Sequence, residues 1–90
     1  MIHAEHILLA VSRLVALNEQ GEFTRDDIRR KAGVSREAWV ASYSPIFQGM
    51  REDQPGGAPH VGPKYKNVFR RIRHGVHALT DYGKQLVDSI

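Results

Sequence analysis

The chain has no cysteine among its 90 residues and few aromatic side chains, which make up 8% of the sequence. The absence of cysteine excludes a disulfide-stabilised scaffold and a zinc site built on thiolates. No apolar run approaches the roughly 18 residues of a membrane span. The N-terminal segment also lacks the basic residues that open a signal peptide. We therefore expect a single domain, residues 1–90, in the cytoplasm and without membrane contact.

Acidic residues are missing from one particular stretch. Between His60 and His77 the sequence contains five lysines or arginines, three histidines and no aspartate or glutamate. Surface charges usually alternate in sign because like charges repel one another. An acid-free stretch of this length is typical of a surface that meets a polyanion, and it predicts a nucleic-acid partner.

Spacing and capping signals predict three helices in the first half of the chain. Apolar residues recur at helical intervals over residues 4–17. Thr24 followed three positions later by Asp27 is an aspartate version of the capping box that opens a second helix. Gly33 ends that helix, and Ser35 caps a third one.

Pro45 interrupts the third helix ten residues after its cap. Proline removes a backbone donor and clashes with the preceding turn, so the helix either bends at this residue or ends near Ala41. In the second case Ser44 caps a new helix with Pro45 at its first position, where proline is well accommodated. We favour the second outcome, which shortens the third helix.

The second half of the sequence predicts a loop followed by a β-hairpin. Asp53–Pro63 contains three prolines and three glycines in eleven residues, which is typical of a loop. Two strands follow with Gly75 in the turn, although a helix over Lys64–Arg71 fits the apolar spacing as well. Thr80 caps a short C-terminal helix. The inward side of the hairpin is expected to consist of Phe69, Ile72, Val76 and Leu79, with His77 on the opposite side.

Ile28–Trp39, with the sequence IRRKAGVSREAW, resembles a helix-turn-helix. Gly33 permits the sharp reversal, Val34 fills the gap between the helices, and Ser35 caps the second helix. With the basic hairpin and the sequence ALTDYG that follow, nearly the whole chain resembles a winged helix-turn-helix DNA-binding domain. The resemblance implies an α+β fold of three to four helices with a small antiparallel hairpin, the wing.

A narrower resemblance involves the segments SYSPIFQGMREDQPGGAP and VFRRIRHGVHALTDYG. They are similar to winged-helix modules attached to restriction endonucleases, some of which read adenine-methylated DNA. This resemblance implies the targeting module of a restriction-modification or related nuclease system. A nuclease domain in the same or another chain would be its partner. Arg29 departs from the usual pattern because a small residue often packs at that position.

Two groups of side chains are expected to contact double-stranded DNA. The third helix would read bases in the major groove, and the hairpin would lie along the phosphates. Trp39 has two interpretations, packing in the core or contact with a thymine methyl or methylated adenine. The candidate DNA-binding residues are Arg36, Trp39, Ser42, Tyr43, Gln48, Arg51, His60, Lys64, Lys66, Arg70, Arg71, Arg73 and His74.

Other functions receive less support from the sequence. We find no nucleophile elbow, no phosphate loop and no close acid pair before a lysine of the kind that nucleases use. His3 and His6 lack a third metal ligand, so no catalytic residue, metal or cofactor is expected. Seven aromatic residues are too few for a single-stranded RNA platform. Surplus apolar residues on the first helix, such as Leu17, favour an alternative function as a docking or dimerisation module. A monomer or weak homodimer is consistent with either function.

Overall fold

The computed structural model describes residues 2–54 and 56–90 and has an α+β fold, as the sequence predicts. The elements are α1 (His3–Ala16), β1 (Glu22–Phe23), α2 (Arg25–Ala32), α3 (Arg36–Ala38), α4 (Ser44–Gly49), β2 (Phe69–Arg73), β3 (Val76–Leu79) and α5 (Asp81–Asp88). A π-turn, Trp39–Tyr43, joins α3 to α4, and a 3-10 turn, Pro63–Tyr65, precedes β2. We call residues 36–49 the composite helix.

The caps of α2 and α3 confirm the predicted helix starts. The Thr24 hydroxyl accepts a hydrogen bond from the Asp27 backbone N–H at 3.1 Å, and the Asp27 carboxylate accepts one from the Thr24 N–H at 2.9 Å. The Ser35 hydroxyl oxygen accepts from the Ala38 N–H at 3.2 Å. Between the two helices Gly33 has φ +72°, a left-handed conformation that glycine adopts without steric cost. These contacts hold α2 and the composite helix at the tight turn the sequence predicts.

The prediction at Pro45 is right in part, because α4 begins at Ser44 with Pro45 in its first turn, but Ser44 is not a cap and the chain does not leave the helical conformation before it. Ser44 has helical dihedral angles, φ −59° and ψ −45°, and its N–H donates to the Trp39 carbonyl five residues earlier. This wider turn accommodates Pro45, which lacks an N–H and would crowd the carbonyl of a normal α-helical turn. The chain therefore stays helical from Arg36 to Gly49, and Pro45 does not shorten the candidate recognition helix.

Three antiparallel strands form one sheet in the order β1-β3-β2. The predicted hairpin is confirmed, with Gly75 at φ +77° in its turn, and the competing helix over residues 64–71 is limited to the 3-10 turn. β1 adds a third strand, because Glu22 pairs with Ala78 and Phe23 with His77. The sheet therefore ties the hairpin to the residues directly before α2.

The two faces of the sheet differ in composition. Directly paired residues lie on the same side of a sheet. The pairs Phe69–Leu79 and Arg71–His77 therefore share one side with Phe23, which we call the inner face. The other side, which we call the outer face, contains Ala78 with its partners Arg70 and Glu22, and Val76 with its partner Arg73.

The expected inward facing is confirmed for Phe69 and Leu79 and is wrong for Val76, and the expected outward facing of His77 is also wrong. His77 is buried on the inner face at 3% exposure, whereas Val76 lies on the outer face and is half-buried. Ile72, also expected to face inward, is half-buried. The register of β2 against β3 shifts between Arg71 and Arg73, so the strict two-residue period ends at this irregularity.

One hydrophobic core joins the helices to the inner face. Its fully buried side chains include Ile7 and Val11 from α1, Ile28 from α2, Phe47 from α4 and Phe69 from β2. The radius of gyration is 11.8 Å, close to the value of about 12 Å expected for a compact chain of this length. Within residues 2–54 and 56–90, none of the helices combines the length and hydrophobicity needed to cross a bilayer.

The C-terminal helix α5 is fixed at the end of the hairpin. The Thr80 hydroxyl oxygen accepts from the Gly83 N–H at 2.9 Å, which confirms the predicted cap, and the same hydroxyl donates to the Asn67 carbonyl at 2.6 Å. A Cβ on Gly83 would collide with the carbonyl oxygen of Val68. α5 therefore approaches the backbone before β2 more closely than any larger residue would allow.

Candidate nucleic-acid interface

The composite helix presents Arg36 and Ser42 to solvent, as expected, but not Trp39. Trp39 is only 7% exposed, and its ring lies 6.0 Å from Tyr43 and 6.4 Å from Phe47. The sequence left two interpretations open for this tryptophan, and its burial favours core packing. The expectation that Trp39 is an exposed groove-reading side chain is wrong.

Tyr43 is half-buried and contacts α1 instead of facing freely outward. Its hydroxyl lies 2.8 Å from Nδ1 of His6, and its ring stacks on His3 at 4.2 Å. His6 Nε2 lies 3.1 Å from the Ala32 carbonyl, which can only accept. His6 Nε2 is therefore the donor to Ala32, and in a neutral imidazole with that tautomer Nδ1 accepts from Tyr43. These contacts engage the two histidines that the sequence raised as possible metal ligands.

Val40 is the exposed apolar residue of the composite helix, with 72% of its surface accessible. It lies four residues after Arg36, on the same side of the helix. Sequence reasoning missed it, although neighbouring helical residues point about 100° apart, so a buried Trp39 directs Val40 outward. Val40, Ser44 and Gln48 line a shallow cleft of about 290 Å³ with loop residues 56–59.

The cationic side chains of the hairpin do not form one row. Arg71 and His74 lie towards the inner face, with Arg71 Nη2 3.5 Å from His74 Nδ1, whereas Arg70 lies on the outer face. Arg73 donates from Nη1 to Glu22 Oε1 at 2.8 Å. The structure thus places the neighbouring Arg70 and Arg71 on opposite sides of the sheet and pairs Arg73 with an acid.

Arg51 is 9% exposed, so it is not a surface side chain. Its guanidinium binds both carboxylate oxygens of Asp53, at 3.0 and 2.8 Å. The hydrogen bond from Arg51 lowers the pKa of Asp53 below its ordinary value. Arg51 was expected to reach the DNA backbone, and the structure instead directs it into a cleft beneath the hairpin.

The remaining predicted residues lie in and after the long loop. His60 is exposed, and its Nδ1 accepts from the Gly62 N–H at 3.2 Å. Lys64 is exposed, with Nζ 5.4 Å from the centre of the Tyr65 ring, and Lys66 is half-buried. The structure therefore does not bring all thirteen candidates to one surface.

A cleft of about 370 Å³ opens between the start of α2 and the hairpin turn. We call it the arginine cleft. Arg25 lies 5.5 Å above the Phe47 ring, and burial, followed by the positive charge of Arg51, lowers the pKa of Arg25. The residues that line the cleft are Thr24, Arg25, Asp26, Arg51, Arg71, His74, Gly75 and His77. Sequence analysis missed Arg25 because it lies 35 residues before His60, where the acid-free stretch begins.

His77 lies at the bottom of the arginine cleft and packs edge-on against Phe47 at 5.0 Å. Neither ring nitrogen has a hydrogen-bond partner among the described residues. Burial, followed by the positive charges of Arg51, Arg25 and Arg71, lowers the pKa of His77 to about 4, against the opposing effect of Asp53. His77 is therefore neutral at physiological pH, beside three guanidinium groups.

The chain matches no protein-family model, and no curated protein or solved structure shows significant similarity to it.

Proposed function

We propose that this chain is a winged helix-turn-helix domain that binds double-stranded DNA. In this proposal α2 and the composite helix form the helix-turn-helix, and the β2–β3 hairpin is the wing. The strand order β1-β3-β2 and the left-handed Gly33 between the two helices support the assignment. Val34 packs against the core between these helices, as a plug residue in such a turn should.

The observation that carries the proposal is the joint exposure of Arg36 and Val40 on the composite helix. An arginine can donate two hydrogen bonds to guanine, and an aliphatic side chain can contact the methyl group of thymine. On the hairpin, Arg70 and Arg71 have no carboxylate partner within residues 2–54 and 56–90. Lys64 and these two arginines can therefore neutralise phosphates beside the groove.

The wider proposal is that the domain targets a restriction-modification or related nuclease system to DNA in the cytoplasm. A nuclease domain in the same or another chain would supply the cleavage. Reading of methylated adenine remains part of the proposal, with a different residue in the contacting position. Because Trp39 is buried, Val40 would contact the N6-methyl group, which lies in the major groove as the thymine methyl does.

Binding to a labelled mixed-sequence duplex, measured at several salt concentrations, tests the proposal. With about three phosphate contacts, the logarithm of the affinity should fall with the logarithm of the salt concentration at a slope of about −3. Arg36→Ala should weaken binding to a selected sequence by about 1–3 kcal/mol. Arg13→Ala, at an exposed arginine of α1, is the matched control and should leave the affinity unchanged. Absence of salt-dependent binding would contradict the proposal.

The same titration with adenine-methylated duplex tests the finer assignment. A preference for methylated DNA that disappears in Val40→Ala supports the modified-base function. Equal affinity for both duplexes would leave general duplex binding and remove this part of the proposal.

A docking or dimerisation module is the second candidate function. Leu17 is 77% exposed at the end of α1, although Ala10, another of the surplus apolar residues, is buried. Light scattering over a range of protein concentrations distinguishes the two functions. Concentration-dependent dimerisation that Leu17→Ser abolishes, together with absent duplex binding, would favour docking.

A further inference from the structure

The arginine cleft has a feature that DNA recognition by the composite helix does not use. Only 3% of the surface of His77 is accessible to solvent, yet neither ring nitrogen has a hydrogen-bond partner among the described residues. Buried polar groups in folded proteins nearly always have a hydrogen-bond partner. A ligand in the cleft could provide one, because His77 lines it.

The charges around His77 select the sign of that ligand. Arg25 enters from α2, Arg51 from the end of the composite helix and Arg71 from the paired strand β2. These three guanidinium groups oppose a cation in the cleft, whereas an anion could accept hydrogen bonds from a guanidinium and from the imidazole N–H.

Two carboxylates lie in or near the cleft and could oppose an anion. Asp26 already accepts from Arg29 at 3.0 Å and Arg30 at 2.9 Å. Asp53 is bound on both oxygens by Arg51. Because each acid is already paired with a cation, both are partly neutralised. Among the residues that line the cleft, the three arginines and the one aspartate together contribute a net charge of +2.

We propose that the arginine cleft binds one phosphate oxyanion, held between Arg25, Arg71 and the ring of His77. Its volume of about 370 Å³ falls at the lower end of small-molecule sites, which span about 300–1,000 Å³. The cleft therefore has room for a phosphate and part of the molecule that carries it. The phosphate comes either from the duplex backbone, in which case the inference rests on the proposed function, or from a free phosphorylated molecule.

Inorganic phosphate is the direct probe, added at constant ionic strength while amide and imidazole resonances are followed by NMR. Saturable shifts are expected at His77, Arg25 and Gly75. Arg71→Ala should weaken this binding at least about fivefold, since one charge-assisted hydrogen bond is lost. Arg13→Ala is the matched control, because it removes an exposed arginine of α1 that does not line the cleft. Unsaturable shifts, or equal loss in the two variants, would overturn the proposal.

Sulfate gives a second readout, because its charge stays constant over the pH range in which histidine titrates. A bound anion favours the protonated imidazole, so sulfate should raise the pKa of His77 measured from its ring carbon resonances. Apart from a bound anion, the charged groups that shift the pKa of His77 are Arg25, Arg51, Arg71 and Asp53. A His77 titration that sulfate leaves unchanged would contradict contact between the anion and the ring.

Competition between phosphate and duplex distinguishes the two sources. If the cleft holds a backbone phosphate, Arg71→Ala should weaken both ligands, and inorganic phosphate should compete with duplex more effectively than chloride at equal ionic strength. If phosphate saturates the cleft without competing, the ligand is a free phosphorylated molecule. Phosphate binding without any duplex binding would reject the proposed function and still support the cleft.

Discussion

The two faces of the three-stranded sheet use arginine in different ways. On the outer face Arg70 is exposed and Arg73 forms an ion pair with Glu22 across the sheet. On the inner face Arg71 stands opposite His77, where two further arginines from distant parts of the chain converge. The arginines of the outer face are exposed and separate from one another, whereas those at the inner face are gathered around the buried, uncharged ring of His77.

This difference shows that a basic segment is not by itself a basic surface. Arg70 and Arg71 are adjacent in sequence, and a strand directs adjacent side chains to opposite faces. The acid-free stretch therefore divides into two environments, and each is completed by residues that precede the stretch in the sequence. Glu22 reduces the charge of the outer face, and Arg25 and Arg51 increase that of the inner face.

The largest difference between the two faces should be in stability, when a core side chain of the inner face is removed. Phe69→Ala removes a fully buried ring that contacts Phe47 at 4.8 Å and Phe23 at 5.7 Å. We expect the free energy of unfolding to fall by about 3–5 kcal/mol. Urea unfolding measures it, and Arg70→Ala, one residue along on the outer face, should change it by less than about 0.5 kcal/mol. Similar losses in both variants would contradict the assignment of faces.

An intermediate effect should appear as a pH dependence of stability. Folding lowers the pKa of His77 from 6.5 to about 4, so between these values the unfolded chain binds more protons than the folded one. Above about pH 6.5 the titration of His77 therefore does not reduce the free energy of unfolding. As the pH falls to about 4, it reduces the free energy of unfolding by up to about 3 kcal/mol.

Thermal or urea unfolding over this pH range checks the expectation. His77→Gln should flatten the slope, because glutamine does not titrate, whatever the variant does to overall stability. His60→Gln, at an exposed histidine, is the control and should retain the slope. A slope that survives in His77→Gln would assign the effect to other groups.

The smallest effect should come from the ion pair of the outer face. Glu22→Gln removes the acceptor of Arg73, and because this pair is partly exposed, stability should change by less than about 1 kcal/mol. Duplex affinity should rise several-fold, since Arg73 becomes available to a phosphate and one repelling charge is removed. Unchanged duplex affinity would exclude Arg73 from the DNA contact surface.

The sequence predicted those elements whose signals are local. The capping box at Thr24, the left-handed glycine between α2 and α3, and the hairpin turn each depend on a few adjacent residues, and each was found where expected. The α+β class follows from these elements. A winged-helix topology remains a proposal, because the arrangement of the elements involves contacts that no local signal reports.

Features that depend on register could not be predicted. The irregularity between Arg71 and Arg73 lies in the pairing of β2 with β3, and His77 is buried where β3 also pairs with β1, a strand of only two residues. Polarity alone suggests an outward histidine in a strand. The arginine cleft could not be predicted either, because Arg25 and Arg51 line it only through tertiary contacts.

The π-turn inserts one extra residue into the composite helix, so the helical positions before and after it are offset by one residue. In an uninterrupted α-helix, eight residues separate Trp39 and Phe47 by about 80° around the axis, whereas one residue fewer leaves them about 20° apart. The turn absorbs that one residue, so both rings reach the same core. A graft of this helix onto another scaffold must therefore omit one position after Trp39, or its two halves will point in different directions.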